Sequence, residues 1–522
     1  MTSVLELNRV VRINRRALAY LLIILAAFVL MYWVLDRGPG ISPDSVVYLE
    51  TAESLRAGEG FVSNGAPMTR FPPLFPLLLA TISGLTGPDM IHSARIASSL
   101  LFGLNLVLVL ALVGMATRNN ILAVGITFLL FVTSHGVFTV HSMAWSEPLF
   151  IFTLLATFYF LINYLTRPSL RWLLLAAFSS GMAILTRYIG IALIPAVILA
   201  ILIFCNKPIL ERTKDAILFS AAALLPITIW VVHNQLTAGT ATNRAFAVHP
   251  IGSLQLLALV DTVYRFAVPY YPQYWLRLSY LFLVVVFFGL GVASVYKATT
   301  AERRTGSNRK FFPMLSLVFI LCYVVILCIS ISFFDAGTPL TERILFPVFI
   351  LLLLFTVSLT WIFSDVLEKP IFFMVFIVIA ISSSLMNGFA TYQAASSIYH
   401  NGFSFSDRHW EDSQSLALLA TFDEDVDIYT NGADLIRFQT GKVTRWIPAV
   451  FAPDSGETSE SIRSRLDQVC SDTQSGKAVV VLFDDFFPRT GYPTPDELES
   501  VCALPLMADL DDGIIFAKVV AQ

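Results

Sequence analysis

Apolar stretches of membrane-spanning length recur through most of this 522-residue chain, and no other feature constrains its folding as strongly. A bilayer core of roughly 30 Å takes about 20 residues of helix, in which every backbone polar group is paired inside the segment. Segments of this kind lie at 17–35, 95–116, 121–139, 148–165, 172–186, 189–205, 215–233, 277–297, 312–333, 344–363 and 370–388. They predict a polytopic α-helical membrane protein of about eleven transmembrane helices. Charge is correspondingly scarce: Asp, Glu, Lys and Arg make up 14% of residues, where a soluble chain carries about a quarter. A net charge of −3 excludes the basic surface that a nucleic-acid partner requires.

Basic residues set the expected orientation, because loops rich in Lys and Arg stay in the cytoplasm. Arg9, Arg12, Arg15 and Arg16 precede the first span, and alternation puts Arg118, Arg167, Arg171, Lys207, Arg212 and Lys214 on the same side. The densest cluster, Lys297, Arg303, Arg304, Arg309 and Lys310, falls there too. The N-terminus is therefore expected inside, and an odd span count puts the C-terminus outside. Segment 17–35 is too long for a removable signal and has no small-residue cleavage site before Asp36. Phe71 to Leu85 is apolar but short and broken by Pro72, Pro73 and Pro76. A crossing there would invert every later loop, so it reads as a helix lying in the outer interface.

The outward segments are then 36–94, 140–147, 234–276, 334–343 and everything beyond about 389. From Asn401 onward charge rises and long apolar runs stop. Asp427 to Tyr429, Ala478 to Phe483 and Gly513 to Val519 read as short buried strands; Ser459 to Cys470 and Pro495 to Cys502 read as helices between them. The expected organisation is a transmembrane catalytic domain over 1–390 and a small extracytoplasmic α/β domain over 391–522. If that region faces an oxidising compartment, a disulfide between Cys470 and Cys502 is open to them, and their separation in space is not set by the sequence. Asp484 and Asp485, at the end of one of those strands, read as a solvated strand end.

The residues able to carry chemistry sit on the expected outer face. Asp44 follows a Gly/Pro turn after the first span, in DRGPGISPDSVVYLETAESLRAGEGF, at the start of an amphipathic helix. A helix-capping Asp occupies the same place. Glu147, in HSMAWSEPLF, stands beside Pro148 at a span boundary, where an acid also favours a helix N-terminus. Ionisable groups at such depth are costly and are functional candidates by default. Arg95, Arg187, Arg244 and Arg343 lie at outer ends or loops, and an arginine fork matches phosphate oxygens. Headgroup contact, or an ion pair with Asp335 or Glu342, is the alternative for each.

These residues, taken in order, resemble the GT-C glycosyltransferases, and among them the protein O-mannosyltransferases and lipid A aminoarabinose transferases. The resemblance covers about residues 10–390. It rests on Asp44 with Tyr48 and the helix after it, RFPPLFPLLLA beginning at Arg70, Arg95 in HSARIASS, Glu147 in SEPLF, Arg187 in LTRYIG, and Arg343 in TERILFP. It implies a sugar moved from a polyprenyl-phosphate donor to a lipid, glycan or protein acceptor, with the donor's tail left among membrane lipids. Asp44 corresponds to the catalytic acid, Glu147 to a second loop acid, Arg343 to a phosphate contact, and Tyr48 to a residue near the donor. Arg70 belongs to the same substrate-binding set. Where the family carries an Arg-Asn pair, this chain has His233-Asn234. Asp44 is followed by Ser45 rather than a second acid, which weakens the case for a divalent cation held there; no metal ligand set is assigned. A bacterial inner membrane is the expected location, with the active site facing outside. A transporter or flippase of lipid-linked sugars is the rival class, and would show repeats and Gly/Pro-broken helices in matching positions. A glycan polymer ligase, using Arg244 and His249 of the 234–276 loop, is the third.

Overall fold

The computed structural model describes residues 2–244, 246–266, 269, 311–335, 338–366, 371–423, 425–448, 459–486 and 492–518. The predicted span 277–297 and the basic cluster of 297–310 lie outside them. The chain divides into two compact units. One comprises Met1–Gly38 with Thr51–Tyr399; the other comprises Pro39–Glu50 with His400–Gln522.

The first unit is helical. In chain order come α1 (Thr2–Val34), α2 (Pro43–Ala57, whose first residues belong to the second unit), the small hairpin β1 (Val62–Ser63) and β2 (Ala66–Pro67), α3 (Leu74–Thr86), α4 (Met90–Ala116), α5 (Ile121–Thr133), α6 (His135–Ser142), α7 (Glu147–Thr166) and α8 (Leu170–Thr186). A 3₁₀ turn over Tyr188–Ala192 leads into α9 (Leu193–Phe204), then α10 (Ile209–Ala238), α11 (Ser253–Arg265), α12 (Phe311–Phe333), α13 (Glu342–Val366) and α14 (Ile371–Asn401). Starts are set by local chemistry. The Asp89 carboxylate accepts the Ile91 and His92 amides at 2.8 and 3.1 Å at the head of α4, and the Asn120 side chain does the same for α5.

Seven of these helices are long and apolar enough to cross a membrane among the described residues: Arg15–Val34, Met90–Ala116, Glu147–Thr166, Ile209–Ala238, Phe311–Phe333, Glu342–Ile362 and Phe373–Asn401. The chain is an integral membrane protein. The segment predicted as one span over 121–139 is instead α5 and α6, bent by 54°. The break falls at Ser134, whose extended backbone ends α5 while its hydroxyl accepts the Val137 amide and starts α6. α8 and the Tyr188–Phe204 stretch are shorter than the seven, as is α3. With 13 residues, α3 reaches only about 20 Å at roughly 1.5 Å per residue, short of the bilayer core.

The second unit is built on a mixed sheet of β3 (Asp427–Thr430), β4 (Thr444–Trp446), β5 (Ala478–Phe483), β6 (Leu506–Leu510) and β7 (Gly513–Phe516), with helices α15 (Gln414–Leu419), α16 (Ala433–Thr440), α17 (Ser459–Gln474) and α18 (Pro495–Cys502). The strand order is β4-β3-β5-β7-β6. β3 runs parallel to β4 and β5, while β7 is antiparallel to β5 and β6. β5 reads AVVVLF because it is central and buried throughout. Val480, Leu482, Leu498 and Phe516 form its core with Cys470 and Cys502. Those two cysteines, at the ends of α17 and α18, are joined in a disulfide.

The bond closes a loop over a sequence separation of 32 residues. Opening it is expected to destabilise the unit by about 3–4 kcal/mol through restored chain entropy. Cys470→Ser should therefore lower the denaturant midpoint of the sheet unit in the full chain, followed by limited proteolysis. In the wild type both thiols should resist maleimide until reductant is added; labelling without reductant would show the bond absent.

Candidate active site

The best-defined cluster of charge among the described residues lies in the helical unit. Glu147 opens α7 with Pro148 behind it, a position where proline costs nothing because that backbone N–H has no helical partner. Its side chain is 1% exposed, and its Oε1 accepts hydrogen bonds from two arginines. Arg187 reaches it through Nη1, which also donates to Ser146 Oγ at 3.4 Å; Arg343 reaches it through Nε. The Arg343 guanidinium lies over the Trp145 ring at 4.4 Å, a cation–π contact that holds its plane. Glu147 Oε2 is buried without a hydrogen-bond partner among the described residues.

Each member is delivered by its own local structure. Arg187 stands where α8 ends, its amide still donating to Ala183 O at 3.0 Å and its carbonyl accepting the Gly190 amide at 2.8 Å. That tight turn needs glycine at 190, where a Cβ would meet the Ala183 carbonyl carbon at 2.8 Å. Arg343 is in the first turn of α13, and the Tyr323 hydroxyl of α12 donates to the neighbouring Ile344 carbonyl at 2.6 Å. The start of α7 is held from α4: the Asn105 amide donates to Pro148 O at 2.9 Å and bonds His141 Nε2 at 3.0 Å. His141 Nδ1 faces the Val137 carbonyl at 2.8 Å. A carbonyl only accepts, so Nδ1 carries the proton and Nε2 is the acceptor. Both side chains are fully buried.

Asp44 lies in the second unit. α2 begins at Pro43, and the carbonyl of Ser42 accepts the first intrahelical bond, from the Val46 amide at 3.0 Å. Ser42 thus occupies the cap position, and Asp44 sits inside the first turn, half-buried. The capping role that the sequence left open for Asp44 passes to Ser42, because Pro43 is suited to the first helical position. Tyr48 is buried one turn later, at 2% exposure.

Comparison with known proteins bears on this arrangement. A family model of dolichyl-phosphate-mannose-protein mannosyltransferases matches residues 70–233, which include Arg95, Glu147 and Arg187. No curated protein sequence matches the chain. The apo structure of ArnT from Cupriavidus metallidurans superposes with a TM-score of 0.58 at 14% identity, covering 96% of this chain and 98% of that one. The same enzyme bound to undecaprenyl phosphate gives 0.55 at 13% identity over the same shares. The archaeal oligosaccharyltransferase AglB from Archaeoglobus fulgidus, in complex with an inhibitory peptide and a dolichol-phosphate, gives 0.52 at 11%, covering 90% of this chain and 70% of that one. The chain has the GT-C fold.

Within this GT-C fold the other arginines singled out in the sequence meet other partners. Arg95 clamps the end of α1: Nε and Nη2 donate to Tyr32 O at 2.9 and 2.6 Å, and Nη2 pairs with Asp36 at 3.0 Å. Arg244 pairs with Asp335 at 2.9 Å and lies 5.3 Å over the Tyr188 ring. Arg70 is exposed, 5.5 Å from the centre of the Phe71 ring. Of the departing pair, His233 stacks on Trp230 and Asn234 bonds Ala241 O at 3.0 Å. No group of three or more His, Cys, Asp or Glu side chains among the described residues is placed to hold a metal ion. Asp484, in the sheet unit, has its carboxyl pushed up by partial burial and by the neighbouring Asp509, Asp512 and Asp485 charges.

The sequence reading missed Trp145, Ser146, Asn105 and His141. Asn105 had a signal, since an amide in the middle of LFGLNLVLVL is expensive unless a partner awaits it.

Proposed function

We propose that this chain is a glycosyltransferase that moves a sugar from a polyprenyl-phosphate-linked donor to an acceptor on the outer face of the membrane. The observation that carries the reading is the convergence of Arg187 and Arg343 on the buried Glu147 carboxylate. Two arginine forks brought together on one buried carboxylate suit the oxygens of an entering phosphate. In the reaction Asp44 takes the proton of the acceptor's nucleophilic hydroxyl or amine. The lone pair attacks the anomeric carbon, the bond from that carbon to the phosphate oxygen breaks, and its electron pair leaves on the phosphate. A single displacement inverts the anomeric configuration. The donor phosphodiester carries one negative charge and the released monoester two, so the arginines gain interaction energy as the charge grows. Glu147 is a positioning residue that fixes both forks. Arg95 and Arg244 act as braces of the surrounding fold, Arg70 as a headgroup contact, and Tyr48 as a wall beside the donor.

Two neighbours of the same fold, with undecaprenyl phosphate on ArnT and dolichol-phosphate on AglB, support the donor class. We further infer eleven crossings: the seven long helices, the bent α5–α6 pair, the shorter α8 and Tyr188–Phe204, and the predicted 277–297. The N-terminus is then inside, the 391–522 domain outside, and the setting a bacterial inner membrane. The Cys470–Cys502 disulfide supports the outward side. The test is purified full-length protein in liposomes with a labelled sugar on undecaprenyl phosphate. Sugar transfer with stoichiometric release of undecaprenyl phosphate is expected. Movement of intact donor between leaflets, with no cleavage, would make the protein a flippase.

A further inference from the structure

We propose that Arg437 is a positioning residue that holds the Asp44-bearing segment within the sheet unit. The inference rests on the reading of Asp44 as the base. Residues 39–50 group with His400–Gln522 rather than with the helices, and two anchors secure them. At the first, Ile41 bridges Ser404, the Phe405 amide donates to Ile41 O at 3.0 Å, and Ser406 Oγ donates to Pro39 O at 2.9 Å. At the second, Arg437 Nε stands 2.5 Å from Glu50 Oε1. This is a charge contact, since the N–H is not aimed for a hydrogen bond. Arg437 Nη2 donates to Asp434 Oδ1 at 2.9 Å, one turn back on the same helix.

The Arg437 side chain is 12% exposed, and its plane is fixed by α16 before it meets Glu50. The same helix ties the anchors together, since Gln439 Nε2 donates to Phe405 O at 2.7 Å. Between the anchors, Ser45, Val46, Tyr48 and Leu49 are buried at 5% exposure or less. Asp44 therefore rides on a turn pinned before it by 404–406 and after it by Arg437. Glu50 is about 9 Å further along the axis at roughly 1.5 Å per residue. A base works only within hydrogen-bond reach of its proton, and a displacement of about 1 Å can cost roughly 100-fold in rate.

The test uses the full-length chain in detergent and has two readouts. Hydrogen exchange comes first. Arg437→Gln and Glu50→Gln should each speed exchange of the 39–50 amides about tenfold or more, with the β3 and β5 amides unchanged. Unchanged exchange over 39–50 in both variants overturns the proposal. If Arg437→Gln also loosens the strands, Glu50→Gln, which leaves residues 400–522 unchanged, decides. Sugar transfer comes second. Either variant should lower kcat by about ten- to a hundredfold with KM for the undecaprenyl-phosphate donor unchanged, and the double variant should be no worse than the single ones. Arg437→Lys, which keeps the charge without the fork, should recover part of the rate. Equal losses in kcat and donor affinity would overturn the positioning role. If exchange responds while Asp44→Asn transfers sugar at the wild-type rate, the reading of Asp44 as base fails and the tether stands.

Discussion

Asp44→Asn is expected to lower sugar transfer by about 10²–10⁴-fold, with undecaprenyl phosphate still bound at close to wild-type affinity. The amide is nearly the same size as the carboxylate, so α2 keeps its shape, but it cannot take a proton at neutral pH. The magnitude decides between roles. An acid that only complements a helix N-terminus contributes about 0.3–1 kcal/mol, and its loss would appear as a small change in stability with the rate intact. Ser42 holds the cap position, so a loss of helix capping is not expected from the substitution. Transfer assayed beside lipid binding and thermal unfolding separates the two. An unchanged rate would remove Asp44 from the chemistry.

Glu147→Gln should destabilise the protein by about 3–5 kcal/mol, the range for breaking a buried ion pair and leaving its partner uncompensated. Two arginines lose this contact, since Arg187 and Arg343 both end on the same carboxylate oxygen. Combining Glu147→Gln with Arg187→Gln should cost less than the sum of the two, because both changes remove the same ion pair. Thermal unfolding of the four proteins closes the cycle. A loss below about 1 kcal/mol in Glu147→Gln would reduce Glu147 to an acid at a helix end. In the transfer assay the same variant should raise KM for the donor as well as lower kcat, if the forks receive the donor phosphate as proposed, since they lose their common anchor.

Much of this was legible in the sequence, and the reasons differ by residue. The spans follow from length and apolarity alone, and the segments read as strands at 427, 478 and 513 coincide with β3, β5 and β7. β4 and β6 were missed because neither is a buried strand: Arg445 and Trp446 are exposed in the one, and Leu506, Met507 and Asp509 in the other. The break at Ser134 was hidden in a segment of spanning length whose Thr133-Ser134-His135-Gly136 interruption is short, since a serine hydroxyl that starts a new helix looks the same in sequence as one lying inside a helix. Glu147, Arg187 and Arg343 were each found, but as independent charges. Their meeting on one oxygen joins positions 147, 187 and 343, and no local pattern encodes such a contact. Proline and glycine gave the strongest local signals: Pro148 marks the head of α7, and Gly190 the turn that presents Arg187.

The grouping of Pro39–Glu50 with the C-terminal residues also bears on how the protein is made. Pro39 and its hydrogen-bond partner Ser406 are 367 positions apart. At about 5–20 residues per second, the ribosome needs roughly 20–70 s to travel between them. For that interval the strand-like stretch at Ile41 and the first turn of α2 have been synthesised without their partners, while helices encoded later are already being inserted. The Asp44 segment is thus among the first extramembrane stretches to be translated and among the last to acquire its tertiary contacts. A chain halted before Ser406 lacks the backbone and side-chain partners that hold the Asp44 segment.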